Sequence, residues 1–86
     1  MASYSVELTR TAEKQLRRSA KRDRNRLVEA SRSLADRPRP HGPRKLQGYN
    51  DVYRIRVGQC RVVYEVFDDR VIVIVLKVGH RKDIYK

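Results

Sequence analysis

Apolar and polar residues alternate strictly at residues 53–57 in the second half of the chain, and at residues 60–67 every second residue is apolar while Val63 and Phe67 interrupt the polar positions. A period of two is the pattern of a strand that buries one face and exposes the other. Gly58 and Gln59 separate the stretches and suit a two-residue turn. We therefore predict a β-hairpin. Its apolar face holds Tyr53, Ile55, Val57, Val62, Tyr64 and Val66, and its opposite face holds Arg54, Arg56, Arg61, Val63, Glu65 and Phe67.

A third strand is predicted from Val71 to Val78, where the chain is almost continuously apolar. Such a run is typical of a strand with neighbours on both sides. Asp68 and Asp69 form the turn that leads into this strand. Gly79 ends the apolar run, and a polar tail follows it.

The N-terminal half has a different pattern. Residues 3–8 alternate and predict a short strand with one buried face. Thr9 is a suitable N-cap for a helix from Arg10 to about Ala20, which has a thin apolar stripe. Asp23 is a candidate cap for a second helix over residues 24–36, and the two helices are expected to pack as a hairpin on the apolar face of the sheet.

Residues 37–48 form the only linker, because all three prolines and two of the four glycines fall there. Proline and glycine at this density end a helix and exclude a central strand. The element order is therefore β-α-α-β-β-β. We expect an α+β fold in which a helical hairpin packs on one face of a roughly four-stranded, mainly antiparallel sheet, with residues 1–86 as a single domain.

The charge points to a polyanionic partner. The 86 residues include 21 basic and 10 acidic side chains, for a net charge of +11. On so small a surface this excess favours nucleic acid above other partners. The basic residues of the helices are, one by one, ordinary solvated positions, although together they attract RNA at long range.

Other classes of protein are excluded or disfavoured by the sequence. Cys60 is the single cysteine, so no intramolecular disulfide forms and no oxidising compartment is implied. There is no secretory signal pattern, and the longest apolar run is too short for a membrane span. We expect a cytoplasmic protein with no membrane association.

The motifs for metal-dependent and nucleophilic catalysis are missing from the sequence. It has no Walker loop, no zinc-type spacing, no nucleophile motif and no acidic cluster, so we expect no metal and no cofactor. Arginine, histidine and tyrosine suit RNA cleavage by the substrate's own 2′-hydroxyl. Arginine neutralises phosphate oxygens, His80 is able to transfer a proton, and Tyr85 is able to stack on a base or donate from its hydroxyl.

Several stretches together resemble the RelE/ParE superfamily of bacterial toxins, specifically its RelE-like branch. The resemblance covers essentially the whole chain. It rests on Lys45-Leu46-x-Gly48, Tyr53-Arg54-Ile55-Arg56, Cys60-Arg61-Val62-Val63-Tyr64 and Val78-Gly79-His80-Arg81-Lys82-Asp83-Ile84-Tyr85.

The resemblance implies the toxin of a type II toxin–antitoxin pair: a ribosome-dependent mRNA endonuclease that enters the ribosomal A site and inhibits translation. It also implies an antitoxin partner with a wrapping segment, and acidic residues on that segment would complement the +11 surface. The expected catalytic residues share one face and are Arg54, Arg56, Arg61, His80, Arg81 and Tyr85. The expected RNA- or ribosome-binding residues are Lys45, Lys77, Lys82 and Lys86.

One departure from the family pattern concerns the proton acceptor. The RelE-type site has lysines on the first strand of the meander, one of them proposed as general base, whereas this chain has Arg54 and Arg56. Arginine stays protonated and is a poor base. Three explanations are open: His80 takes the role, the ribosome and substrate geometry carry more of the rate, or the activity is weak. Two other functions are also open, a ParE-like inhibitor of DNA gyrase and a non-catalytic basic module that binds RNA or ribosomes.

Overall fold

The computed structural model describes residues 3–39, 44–45 and 52–80, with the backbone alone at 44–45. Within these ranges, two helices and five strands follow one another. They are β1 (Ser5–Leu8), α1 (Arg10–Arg18), α2 (Lys21–Ser33), β2 (Arg44–Lys45), β3 (Val52–Val57), β4 (Cys60–Phe67) and β5 (Ile72–His80).

The strands form one mixed sheet in the order β1-β5-β4-β3-β2. β1 lies parallel to β5, and the other three pairs are antiparallel. The predicted α+β architecture is confirmed, with four main strands and β2 as a two-residue addition at the edge. β2 lies inside the predicted linker. Its proline-rich surroundings agree with an edge position, because proline is tolerated there and not in a central strand.

Both helices pack on the face of the sheet that the alternation predicts to be apolar. The core between the two layers includes Leu27 from α2, Leu34 at its C-cap, and Val62, Tyr64 and Val75 from the sheet, and all five are 0% exposed. Close packing of branched aliphatic side chains supplies most of the stabilisation of such a domain. None of the helices in the described ranges is long and apolar enough to cross a membrane.

The helix boundaries differ from the prediction at the junction between the two helices. Thr9 caps α1 as predicted, because its hydroxyl accepts a hydrogen bond from the Ala12 N–H. α1 ends at Arg18, and α2 begins at Lys21 with Ala20 as an N-cap that makes no side-chain bond. Asp23 is therefore not the cap. It lies in the first turn of α2, where a carboxylate interacts favourably with the helix dipole.

Candidate functional site

The face of the sheet opposite the helices, which we call the outer face, gathers the predicted cations in two cross-strand rows. Arg54 pairs with Val63, which pairs with Lys77, and Arg56 pairs with Arg61, which pairs with Gly79. Neighbouring strands lie about 4.8 Å apart, so the basic side chains of three strands converge on a small area. The predicted placement of Arg54, Arg56 and Arg61 on one face is confirmed.

Arg61 occupies the middle of the second row and is partly buried. Its Nε is shielded from solvent and has no hydrogen-bond partner in the described part of the chain. A buried polar group without a partner costs about 1–3 kcal/mol, and more when it is charged. Such a group has a reason to be retained when a ligand supplies the missing acceptor.

The neighbours of Arg61 leave room for such a ligand. Gly79 has a φ of 149°, which side-chain-bearing residues rarely adopt, and a Cβ built on it would meet no described atom within 4 Å. On the other side, the Arg56 Nε donates to the carbonyl of Gly58, 3.3 Å away, at the tip of the β3–β4 turn. Arg56 therefore borders Arg61 on one side, and on the other side no described side chain occupies the position that a Cβ at Gly79 would take.

An apolar patch supports the first row. Val52 and Val63 are 7% and 8% exposed although both described helices lie on the other face, and Leu76 packs against them. Long basic side chains characteristically lay their aliphatic stems on such surface and keep the charged head in water. We therefore expect the aliphatic parts of Arg54 and Lys77 to lie on this apolar patch, with their charged groups in solvent.

His80 does not share the outer face, which corrects the expectation that all six catalytic candidates do. Its register partner is Cys60, whose side chain belongs to the core beneath the helices. Both residues line a cleft of about 380 Å³ at the α1–α2 junction, together with Gln15 and Ser19. The reason is an irregularity between β4 and β5, where one extra residue, Leu76, changes the phase of the strand.

Cys60 is a buried thiol. It is 3% exposed, and burial raises its pKa. A thiol reacts as the thiolate, so a raised pKa lowers its nucleophilicity. The prediction that Cys60 takes no chemical role stands as a prediction, and its burial supports it.

The structure contains a polar cluster that the sequence does not reveal, which we call the Asp68 clamp: Tyr4, Arg39, Tyr53 and Asp68. The Asp68 carboxylate accepts hydrogen bonds from the Arg39 Nη1 and Nη2 at 3.1 and 3.0 Å and from the Tyr4 hydroxyl at 2.6 Å. The Arg39 Nε also donates to the Tyr53 hydroxyl at 2.9 Å. The bonds from Arg39, above all, lower the pKa of Asp68. These four residues are far apart in sequence, so no local pattern predicts their contact.

Tyr64 lies beneath the clamp and is the largest fully buried side chain. Its ring stacks on that of Tyr53 with a centroid separation of 5.9 Å. Burial raises the pKa of its hydroxyl to about 12. Tyr53 and Tyr64 therefore belong to the framework of the site and not to its chemistry.

The other predicted site residues fall partly or wholly outside the described ranges. Lys77 lies on the outer face and is exposed. Lys45 is described only by its backbone, as the register partner of Tyr53. Four further candidates lie outside the described residues, namely Arg81, Lys82, Tyr85 and Lys86.

Comparison with known proteins agrees with this fold. Residues 6–85 match the family described as "ParE toxin of type II toxin-antitoxin system, parDE". The chain belongs to the RelE/ParE superfamily of type II toxin–antitoxin toxins. Among curated relatives, it is 30% identical over 86 residues to the putative toxin RelE1 of Methanocaldococcus jannaschii, with 96% of each chain covered.

Solved structures of RelE toxins are similar throughout their length. The RelBE2 toxin–antitoxin complex of Mycobacterium tuberculosis gives a TM-score of 0.83 at 28% identity, covering 96% of this chain and 97% of the other. The isolated RelE toxin of E. coli gives 0.80 at 30% identity, covering 96% and 92%. The RelE/ParE fold of this chain therefore includes the whole region that carries the outer face.

Proposed function

We propose that this RelE/ParE toxin is a ribosome-dependent mRNA endonuclease and that the outer face binds the scissile phosphate. The observation that carries the proposal is the Nε of Arg61, which is buried, lies beside Arg56 and Gly79 in the second row, and has no hydrogen-bond partner among the described residues. A guanidinium suits a phosphate because it donates two parallel hydrogen bonds to its oxygens. RNA phosphate would supply an acceptor that the described residues do not give the Arg61 Nε.

The proposed reaction needs no group beyond the protein and the RNA. The 2′-oxygen attacks the neighbouring phosphorus, the bond from phosphorus to the 5′-oxygen breaks, and the products are a 2′,3′-cyclic phosphate and a 5′-hydroxyl. The 2′-hydroxyl proton leaves to a base, and the departing 5′-oxygen gains a proton. Negative charge on the phosphate oxygens rises in the transition state, and fixed cations such as Arg61 stabilise it there more than in the ground state.

The described outer face supplies charge neutralisation and not proton abstraction. Its charged residues on β3 and β4 include three arginines, and arginine is a poor base. We leave His80 out of the phosphate-binding set because its register partner lies under the helices. Arg81 and Tyr85 keep the roles that the family resemblance implies for them, as part of this proposal.

We further propose that an antitoxin with an acidic segment neutralises the toxin. Solved complexes of similar toxins contain an antitoxin, as in the RelBE2 complex of M. tuberculosis and the RelE–RelB complex of Pyrococcus horikoshii. The net charge of +11 provides the complementary surface. An acidic segment across the outer face would compete directly with mRNA.

A second candidate function follows from the name of the matching family, which is that of ParE toxins. In this alternative the protein inhibits DNA gyrase by association and cuts no RNA. The fold is common to both functions, so the fold does not choose between them. The cationic rows of the outer face favour the nuclease.

The deciding experiment is to add the purified protein to a translating extract and map mRNA 5′ ends by primer extension, with and without ribosomes. Cuts within codons that appear only with ribosomes support the nuclease. Intact mRNA together with inhibited supercoiling by purified gyrase overturns it in favour of the second candidate. The Arg61→Ala variant, purified in parallel, reports whether the cuts depend on the outer face.

A further inference from the structure

β5 contains a β-bulge at the point where it crosses the outer face. Tyr64 pairs with Val75, but its neighbour Val63 pairs with Lys77, so Leu76 is an extra residue with no partner on β4. A bulge of this kind reverses the alternation of side chains beyond it. The bulge therefore determines which face of the sheet each β5 side chain after Leu76 occupies.

The reversal decides where Lys77 lies. Val73 and Val75 are 0% exposed beneath the helices, and uninterrupted alternation would carry Lys77 into the same core. Instead Val78 is 0% exposed in that core, while Lys77 is exposed on the outer face. Because of the bulge, Lys77 lies in the row of Arg54 and not in the core, where burial of its charged ammonium group would cost free energy.

Thr9, the residue after β1, makes two hydrogen bonds to the backbone of β5 at the bulge. Its N–H donates to the Val75 carbonyl at 3.0 Å, and its hydroxyl donates to the Leu76 carbonyl at 2.8 Å. The carbonyls of Val75 and Leu76 are consecutive, yet both point toward Thr9 on the same edge of β5. In a regular strand, consecutive carbonyls point toward opposite edges. The same hydroxyl accepts from the Ala12 N–H at 3.1 Å, so the N-cap of α1 and the bulge share one oxygen.

α1 continues this support after β1 has ended at Leu8. The Oε1 of Gln15 accepts from the Val78 N–H at 2.9 Å, two residues beyond the bulge. The side chains of Thr9 and Gln15 thereby occupy the backbone edge that a longer β1 would have paired. The position of Lys77 consequently depends on a helix on the other side of the sheet.

We propose that Thr9 is a positioning residue for RNA binding, because its hydroxyl maintains the bulge that presents Lys77 to a phosphate beside Arg54. The inference rests on the proposed function, since it takes RNA as the ligand of the outer face. Thr9 itself lies at the start of α1 and makes no contact with that face. It acts only through the backbone of β5.

The test compares variants by the salt dependence of their binding to a single-stranded RNA oligonucleotide, measured by fluorescence anisotropy. Lys77→Gln is expected to reduce the slope of log K against log salt by about 0.7, the value for one phosphate contact. Thr9→Val should reduce it by the same amount, and the double variant by no more than either single variant. Thr9→Ser keeps the hydroxyl and should bind as the wild type does.

A second pair of variants separates the bulge from the helix cap. Thr9→Asp still caps α1 with its carboxylate, but it has no donor for the Leu76 carbonyl. Thr11→Asp adds the same charge two residues later, at an exposed position of α1. The slope should fall further for Thr9→Asp than for Thr11→Asp. This pair replaces Thr9→Val if that variant does not fold.

The outcomes distinguish this inference from the proposed function. Additive effects of Thr9→Val and Lys77→Gln, or an unchanged slope in Thr9→Val, overturn the inference and leave the proposed function in place. A wild-type protein that binds no RNA and cuts none overturns both. A register measurement by NMR checks the intermediate step, because the contact between Val63 and Lys77 should be lost in Thr9→Val and kept in Thr9→Ser.

Discussion

Arg61 differs from the other described cations of the outer face because its Nε is buried and finds no hydrogen-bond partner within residues 3–39 and 52–80. Burial fixes the orientation of a side chain that is otherwise flexible, so little entropy is lost when a phosphate binds. The same burial lowers the local dielectric constant and strengthens the attraction to an anion. Exposed cations, such as Arg56 and Lys77, add attraction that salt screens more easily.

Arg61→Ala is expected to lower the rate of mRNA cleavage on ribosomes by about 100-fold or more, the usual effect of removing one preorganised donor. Arg61→Lys should recover only part of the loss, because lysine cannot donate two parallel bonds. His80→Ala serves as the comparison and should keep most of the activity. Equal losses for Arg61→Ala and His80→Ala would contradict the assignment of the outer face.

Val71, in the turn before β5, has a φ of 57°, in the left-handed region. A β-branched residue there costs about 1–2 kcal/mol relative to its ordinary backbone conformation. Val71→Asn should raise the free energy of unfolding by about 1 kcal/mol relative to Val71→Ala, since asparagine tolerates this conformation and alanine does not. Urea denaturation of both variants measures the difference. An alanine variant as stable as the asparagine variant would show that the turn is unstrained.

At the scale of elements, the Asp68 clamp joins four parts of the chain that are distant in sequence. Tyr4 precedes β1, Arg39 follows α2, Tyr53 lies in β3 and Asp68 begins the turn between β4 and β5. The bidentate Arg39–Asp68 pair fixes the segment that leads from the helical layer to the sheet. The clamp therefore contacts β3 through Tyr53 on the face opposite the first row, and β3 supplies Arg54 to that row.

The clamp predicts a pH dependence of stability. The pKa of Asp68 is lowered from 3.8 in the folded protein, mainly by its bonds to Arg39. The carboxylate is thus bound in its ionised form, and its contribution is fully present above the unfolded pKa and lost as pH falls through the lower folded pKa. Asp68→Asn should reduce the loss of stability in acid below about pH 4.

Asp69→Asn is the matched control for the clamp, because Asp69 lies in the same turn and makes no hydrogen bond or ion pair with the described residues. The Asp69→Asn variant also removes one aspartate carboxylate. It should lose as much stability at low pH as the wild type does. Thermal unfolding followed by circular dichroism between pH 2 and 7 measures both variants. Identical curves for Asp68→Asn and the wild type would rule out the clamp as a source of stability.

The sequence predicts the elements whose residues carry a clear period. The β3–β4 hairpin, its two faces and the Gly58–Gln59 turn follow directly from alternation, and Thr9 predicts the start of α1. β5 is different. Its residues are almost all apolar, so the sequence does not indicate which of its side chains face the helices and which face outward. The bulge at Leu76 depends on a bond to Thr9, 67 residues away. For that reason the faces of Lys77 and His80 could not be predicted.

At the scale of the whole molecule, positive charge lies on both sides of the sheet. α1 and α2 carry nine exposed basic residues and three acidic ones. The basic residues are Arg10, Lys14, Arg17, Arg18, Lys21, Arg22, Arg24, Arg26 and Arg32. The helical layer therefore attracts polyanions at long range, whereas the cations of the outer face are ordered in rows.

Two double variants with the same net charge should separate these contributions. Arg22→Gln with Arg32→Gln neutralises two helical residues, and Arg54→Gln with Arg56→Gln neutralises two residues of the outer face. Both pairs should weaken ribosome binding in a salt-dependent manner. Only the outer-face pair should lower the cleavage rate at saturating ribosome concentration, as measured by primer extension. Equal cleavage rates for the two pairs would contradict a specific role for the outer face.

The pairing of β1 with β5 has a consequence for how the protein is made. Among the described strands, the first joins the sheet only beside the last, and β5 lies between β1 and β4 in the interior of the sheet. Contacts between distant residues form late in folding because the intervening chain must be ordered first. During synthesis, β5 leaves the ribosome after every other element of the described ranges. We therefore expect the rows of cations to be assembled only once β5 has emerged, so a partly synthesised chain does not yet present the surface that we propose binds RNA.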